Sequence, residues 1–236
     1  MTCINVAKSI PTGCRTVDDY LRGGIYSGSL TLIYGEPEAG KTTFAIQCAA
    51  NCSRQGRKTL FADCDGTFSV RRLAQIASNK FEEIAELIVL IKPESFQGQA
   101  TLTDQLTDYV TNNVGLVVFD TFTSLYRLGI SETPSKTFEL NRELNRQLAV
   151  LAQTARTHKV AVLITSQVHS VLDETPVSVE PVATRVQKFW ADTVMALKPK
   201  NSNSVRLDLT KNLLKLTPKN FDLRLGERGI YDSSTR

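Results

Sequence analysis

No apolar run in this chain approaches the roughly 20 residues a membrane-spanning helix needs, and the opening MTCINVAKSIPTGCRT lacks the apolar core of an export signal. Nothing therefore directs it to a membrane, and the expected location is cytoplasmic. A disulfide framework is missing as well. Five cysteines, an odd number at irregular spacing, fit a reducing compartment. Cys48 and Cys52 stand four apart on a predicted helix, but no histidine or further cysteine nearby completes a four-ligand set, so both are expected to be small buried hydrophobes. Internal repeats, low-complexity tracts and linkers rich in Gly, Pro or Ser are absent too. What is present, 236 residues with 42% hydrophobic and 22% charged, predicts one globular domain over residues 1–236.

The net charge of +4 is unevenly spread: Lys198 to Arg236 carries nine basic and four acidic residues, leaving −1 for the rest. A basic segment fits a polyanion partner, and it fits a solvated lysine-rich surface equally well.

Short apolar runs alternate with amphipathic stretches. SLTLIY (29–34), KTLFAD (58–63), ELIVLI (86–91), GLVVFD (115–120) and VAVLIT (160–165) predict strands of a parallel sheet buried on both faces. A helix is predicted after Pro134, with Leu140, Leu144, Leu148, Leu151 and Ala155 on one face. A shorter helix would align Leu102, Leu106, Tyr109 and Val110. Past residue 190, ADTVMALK, SVRLDLT and NFDLRL alternate apolar and polar residues, as half-exposed antiparallel strands do. The expected fold class is α/β, a mostly parallel twisted sheet flanked by helices, with antiparallel strands at the C-terminal edge.

GEPEAGKTT, residues 35 to 43, matches the phosphate-binding pattern G-x-x-x-x-G-K-[ST] and lies between a predicted strand and a predicted helix. Gly35 and Gly40 let the loop curl so that the N–H groups of Glu36, Pro37's neighbours, Glu38 and Ala39 face the phosphates. Lys41 supplies a point charge for the β- and γ-phosphates, the Thr42 hydroxyl suits Mg²⁺, and Thr43 can bond the α-phosphate. Asp120, closing GLVVFD, is expected to hold the Mg²⁺ through a water. Gln167, in VLITSQV, is placed to sense the γ-phosphate or simply to bond the local backbone.

In order along the chain, IPTGCRTVDDYLRGGIYSGSLTLIYGEPEAGKTT, FADCDGTFSVRRL, GLVVFDTFTSLYR and LNRQLAVLAQTARTHKVAVLITSQV resemble the RecA/RadA recombinase superfamily. SLYRL and LNRQLAVLA before ITSQV are similar to its RadB branch of archaeal paralogues. The resemblance implies a RecA-like P-loop ATPase core without the helical N-terminal DNA-binding domain, ATP and Mg²⁺ as cofactors, and a role in homologous recombination and DNA repair. It implies Lys41, Asp65 and Gln167 as catalytic residues and Thr42 with Asp120 as metal residues. Where active recombinases place a water-activating glutamate this chain has Asp65, one methylene shorter, and displacements of about 1 Å can cost roughly 100-fold. The expectation is an accessory protein with weak ATPase activity and no strand exchange of its own. The implied partners are DNA, single-stranded by preference, the main recombinase, a Holliday-junction nuclease and further copies of the chain. The basic-Ser-Pro-Glu-Gly turn of the superfamily is missing before the last strand.

Two loops of that superfamily meet DNA. Here they correspond to about Tyr126–Lys136, with Tyr126 and Arg127, and to about Val168–Arg185, with His169 and Arg185. Arg156–Lys159 together with the basic C-terminal segment is the other candidate surface. TGCRTVDDYLRGG is also typical of the KaiC-like branch, whose members act as ATP-dependent signalling or scaffold modules and need not bind DNA. A small-molecule kinase fits less well, since no paired-arginine lid follows the second strand. Thiol chemistry at Cys64 is disfavoured by its acidic neighbours Asp63 and Asp65.

Overall fold

The computed structural model describes residues 8–167 and 182–233. In chain order these form β1 (Ser9–Ile10), α1 (Arg15–Tyr20), β2 (Ile25–Tyr26), β3 (Leu30–Gly35), α2 (Lys41–Arg54), β4 (Lys58–Asp63), α3 (Val70–Ala77), α4 (Phe81–Ala85), β5 (Ile88–Ile91), α5 (Phe96–Asp104) and α6 (Leu106–Tyr109). Then come β6 (Val114–Asp120), α7 (Ser124–Glu132), α8 (Thr137–His158), β7 (Ala161–Gln167), α9 (Val182–Trp190), β8 (Thr193–Asn201), β9 (Ser204–Lys211), β10 (Lys219–Gly226) and β11 (Gly229–Asp232).

Nine strands make one sheet in the order β11-β10-β9-β8-β3-β7-β6-β4-β5. β5, β4, β6, β7, β3 and β8 run parallel, and β9, β10 and β11 continue the sheet antiparallel. Side chains alternate across the pleat, so the apolar runs feed two cores. Ile33, Phe61, Leu116 and Val118 pack with Phe44, Ala45 and Cys48 of α2 on one face. Leu32, Val117, Phe119 and Ile164 pack with Leu144, Leu148 and Leu151 of α8 on the other. Two helix starts are capped by side chains that accept an otherwise unpaired N–H: Ser69 from Arg72 and Ser95 from Gly98.

The structure departs from the sequence reading at two strands and in the helices. β8 is a sixth parallel strand beside β3, and its first five residues are buried, where alternation alone would leave one face open. β5 is an edge strand with Val89 and Leu90 42% and 48% exposed, so an apolar run there is not buried on both faces. Among the helices, Pro134 lies in a separate 3-10 turn, and α8 starts only at Thr137. The stretch around residue 105 breaks into α5 and α6, which leaves Tyr109 half-exposed while Leu106 and Val110 are buried. Residues 126–136, expected as a loop, lie mostly in α7 and the 3-10 turn. Among the described residues no helix is long and apolar enough to cross a membrane.

Leu148 is fully buried between α8 and the sheet. Leu148→Ala is expected to cost about 2–5 kcal/mol in chemical denaturation, whereas Val89→Ala at the open edge should cost under about 1 kcal/mol.

Candidate nucleotide site

β3 sits between β7 and β8, with Gly35 in register with Gln167 on one side and Leu197 on the other. A Cβ on Gly35 would stand 2.2 Å from the Leu197 carbonyl oxygen, so only glycine lets β3 end there. The chain then curls through Glu36–Ala39 to Gly40, whose φ of 92° lies in the left-handed region, and α2 begins at Lys41. Pro37, Glu38, Gly40 and the first turn of a 14-residue helix thus line one cleft of about 360 Å³. Beyond the phosphate-loop residues, Asp65, Thr67, Arg72, Thr121, Gln167 and Leu225 line it.

Lys41 is nearly buried, and its ammonium donates to the Glu36 carbonyl at 2.7 Å. Burial lowers its pKa, the carboxylates of Asp120 and Asp65 act against that, and the Arg127 guanidinium adds to it.

Asp120 ends β6 with its side chain fully buried. One carboxylate oxygen accepts from the Thr165 hydroxyl, and the Thr42 hydroxyl is near enough to lower the carboxyl's pKa. The other oxygen, Oδ2, has no partner. Burial pushes the carboxyl up to about 6, the Thr165 and Thr42 hydroxyls pull it down, and Asp65 and Asp63 push it further up. A buried carboxylate with an orphaned oxygen, beside a hydroxyl of the phosphate loop, is the donor set a hard divalent cation takes.

The first acid of FADCDGTF is structural. Asp63 accepts from the N–H groups of Thr67 at 3.0 Å and Phe68 at 3.2 Å and pins the turn after β4. Asp65 is exposed at the cleft wall, held by the Thr67 hydroxyl at 2.7 Å. Gln167 is half-buried at the end of β7 and lines the cleft, and its carbonyl accepts from the Arg127 guanidinium. Cys64 is buried and its thiol is held well above the usual range, by burial first and by Asp120, Asp65 and Asp63 after it.

The three residues named for DNA fall in different settings. Tyr126 is only 5% exposed, packed edge-on against Phe96 with ring centroids 5.7 Å apart, and its hydroxyl donates to Asn141. It has no face to offer a base, which corrects the sequence reading: α7 turns the side chain into the helical layer. Arg127, one residue on, leans toward the cleft, and burial lowers its pKa. Arg185 is exposed on α9. His169 and the rest of 168–181 lie outside the described residues. In the basic C-terminal segment, Lys198 pairs with Asp208 at 2.8 Å, Lys200 and Arg206 share Asp222 at 3.0 and 3.3 Å, and Lys219 stands over the Tyr20 ring. Much of that charge is therefore spent on neighbours across β8, β9 and β10. In the other patch Arg156 reaches Asp192 at 3.4 Å.

Sequence reading missed Arg72 and Leu225. The N–H groups of the Arg72 guanidinium bond the Gly226 carbonyl at 3.0 Å and Gln75 at 3.2 Å, fixing the side chain at the cleft. Only the fold brings α3 against β10, so neighbouring residues carry no signal of it.

The Rad51 family profile matches residues 5–232. The DNA repair and recombination protein RadB of Methanocaldococcus jannaschii is 32% identical over 212 residues, covering 90% of this chain and 97% of the relative. RadB of Methanobrevibacter smithii is 30% identical over 226 residues, 94% of each chain. A crystal structure of the RadB recombinase superposes with a TM-score of 0.80 at 31% identity, over 95% of this chain and all of the other. This chain belongs to the Rad51 family.

The electrostatics of Asp120 carry a signed expectation. Its folded pKa of about 6 lies above the ordinary 3.8, so the unliganded fold is penalised once both states ionise, above about pH 6, and relieved as pH falls toward 4. The penalty is about 3 kcal/mol. Asp120→Asn should therefore raise the melting temperature of the nucleotide-free protein at pH 8 and flatten its pH dependence between 4 and 7, as read by calorimetry.

Proposed function

We propose that this Rad51-family chain is an ATP-binding, DNA-binding accessory of homologous recombination and DNA repair, working as one core domain, that hydrolyses ATP slowly and exchanges no strands by itself. The observation that carries the nucleotide reading is the partnerless Asp120 oxygen, buried beside Thr42 and Lys41 in the phosphate-loop cleft. ATP would replace the Glu36 carbonyl as the partner of Lys41, and the loop N–H groups would take its phosphate oxygens. Thr42 and Asp120 are the residues suited to hold Mg²⁺, which when bound neutralises charge on the β- and γ-phosphates.

Asp65 is on the cleft wall with a hydroxyl partner, so it can hold a water. Its short side chain supports a weak general base. Gln167 closes the cleft at the end of β7, and its carbonyl bond to Arg127 ties α7 to the same strand end. That link supports a sensor role: phosphate contacts at the Gln167 side chain would be felt by α7 and by the chain leaving β7. The DNA part of the reading rests on the likeness to the DNA repair and recombination proteins RadB. The main recombinase, a Holliday-junction nuclease and further copies of the chain are the partners that reading implies.

Steady-state hydrolysis with and without saturating single-stranded DNA tests the proposal. Turnover should be slow and unchanged by DNA, Lys41→Ala should abolish it, and Asp65→Glu should raise it roughly 10- to 100-fold. A rate that climbs many-fold with DNA in the unaltered protein would make it an active recombinase instead.

A further inference from the structure

A second pocket, of about 290 Å³, lies toward the far end of α2 from the phosphate loop, close to the lower limit of roughly 300 Å³ for small-molecule sites. Ile76 of α3 and Ile230 of β11 give it an apolar floor, with the Tyr231 side chain beside them. Its charge comes from Arg54, in the last turn of α2, and from Arg228, in the turn between β10 and β11. No acid lines it.

The two arginines lack an opposite charge. Among the described residues no carboxylate lies within ion-pair distance of either. Partial burial lowers the pKa of Arg54, and no acid acts against that. The guanidinium is nevertheless fixed in place. It donates to the Asn51 side-chain oxygen and to the Ile76 carbonyl, both at 2.7 Å, and its remaining N–H groups are left for a ligand. The wall behind is fixed too. The Gln47 amide donates to the Thr12 and Ile230 carbonyls at 2.7 and 2.8 Å and accepts from the Ile230 N–H at 2.7 Å. Asp18, the acid bonded to the wall residue Gly13, is taken up by the N–H groups of Thr12 and Gly13 and by the Thr12 hydroxyl.

We infer that this pocket is an effector site for a small phosphate monoester with a flat apolar body, and that its occupation is passed to the nucleotide cleft. Two guanidinium groups without an acid match a dianion, which a phosphate monoester is above about pH 6. A carboxylate brings only one charge, and the apolar floor suits a ring. Each element that builds the pocket also builds the cleft. α2 gives its first turn to the cleft and Arg54 to the pocket, and α3 gives Arg72 to the cleft and Ile76, one turn on, to the pocket. The β10–β11 hairpin places Leu225 in the cleft and Arg228 in the pocket, and Arg72 holds the Gly226 carbonyl of that hairpin at 3.0 Å. The pocket is independent of the nucleotide reading, whereas its effect on the cleft rests on it.

The test is calorimetric titration of the full chain with phenyl phosphate at pH 8, with benzoate and inorganic phosphate as comparison probes, followed by ATP titrations with and without phenyl phosphate. Arg54→Gln and Arg228→Gln should each weaken phenyl phosphate binding roughly 10- to 100-fold. Arg54→Lys, which keeps the charge but loses the fork, should recover only part of the loss. Lys41→Ala, in the phosphate loop, should leave it unchanged. Benzoate and inorganic phosphate should both bind more weakly, and phenyl phosphate should shift the ATP affinity roughly 5-fold or more. If phenyl phosphate does not bind, or is lost with Lys41→Ala and kept by both arginine variants, the pocket is no such site and the nucleotide reading stands. Benzoate binding as tightly as phenyl phosphate would overturn the phosphate assignment. An ATP affinity that phenyl phosphate leaves unmoved would overturn the effector role. If ATP binds under neither condition, the nucleotide reading fails and takes the effector role with it, while the arginine variants still decide the site.

Discussion

The structure depends on how tightly β8 and β7 close on the end of β3. Gly35 has no room for a side chain beneath the Leu197 carbonyl, so the chain leaves the centre of the sheet at one point and curls immediately into α2. That choice places a helix N-terminus where the ends of β4, β6 and β7 also open, the usual place for a ligand in a parallel α/β sheet. Asp65 follows β4, Asp120 ends β6 and Gln167 ends β7. Three side chains far apart in sequence converge because their strands share a direction.

The cleft so formed is electrostatically unfinished. Lys41 has only a backbone carbonyl for its ammonium, and Asp120 keeps a buried oxygen without a donor. Buried polar groups are normally paired, and leaving one unpaired costs stability. The two groups are opposite in charge and act on each other at a distance. An anion with a divalent cation completes both at once. A ligand that binds the folded chain and not the unfolded one adds to its stability.

The sequence revealed most of the sheet because buried parallel strands are nearly continuous apolar runs. KTLFAD coincides with β4, and GLVVFD and VAVLIT lie within two residues of β6 and β7. The phosphate loop was legible because its glycines and lysine are adjacent in the chain. Less visible was whatever depends on which layer covers a strand. β8 reads as half-exposed by alternation, yet it runs parallel to β3 and its first five residues are buried. Tyr126 falls in a stretch read as a DNA-contacting loop, but α7 buries it against Phe96. Arg72 and Leu225 enter the cleft only because β10 passes α3, a contact across more than 150 residues that no local pattern encodes.

The measurement that tests the central claim most directly is the calorimetric affinity for ATP with Mg²⁺ and with the metal chelated, in the unaltered protein and in Thr42→Val. If Thr42 and Asp120 hold the cation, chelation weakens ATP binding to the unaltered protein, and Thr42→Val loses roughly 10- to 100-fold in the metal-dependent part alone. An ATP affinity indifferent to Mg²⁺, or a Thr42→Val protein with the full metal dependence, would contradict the account.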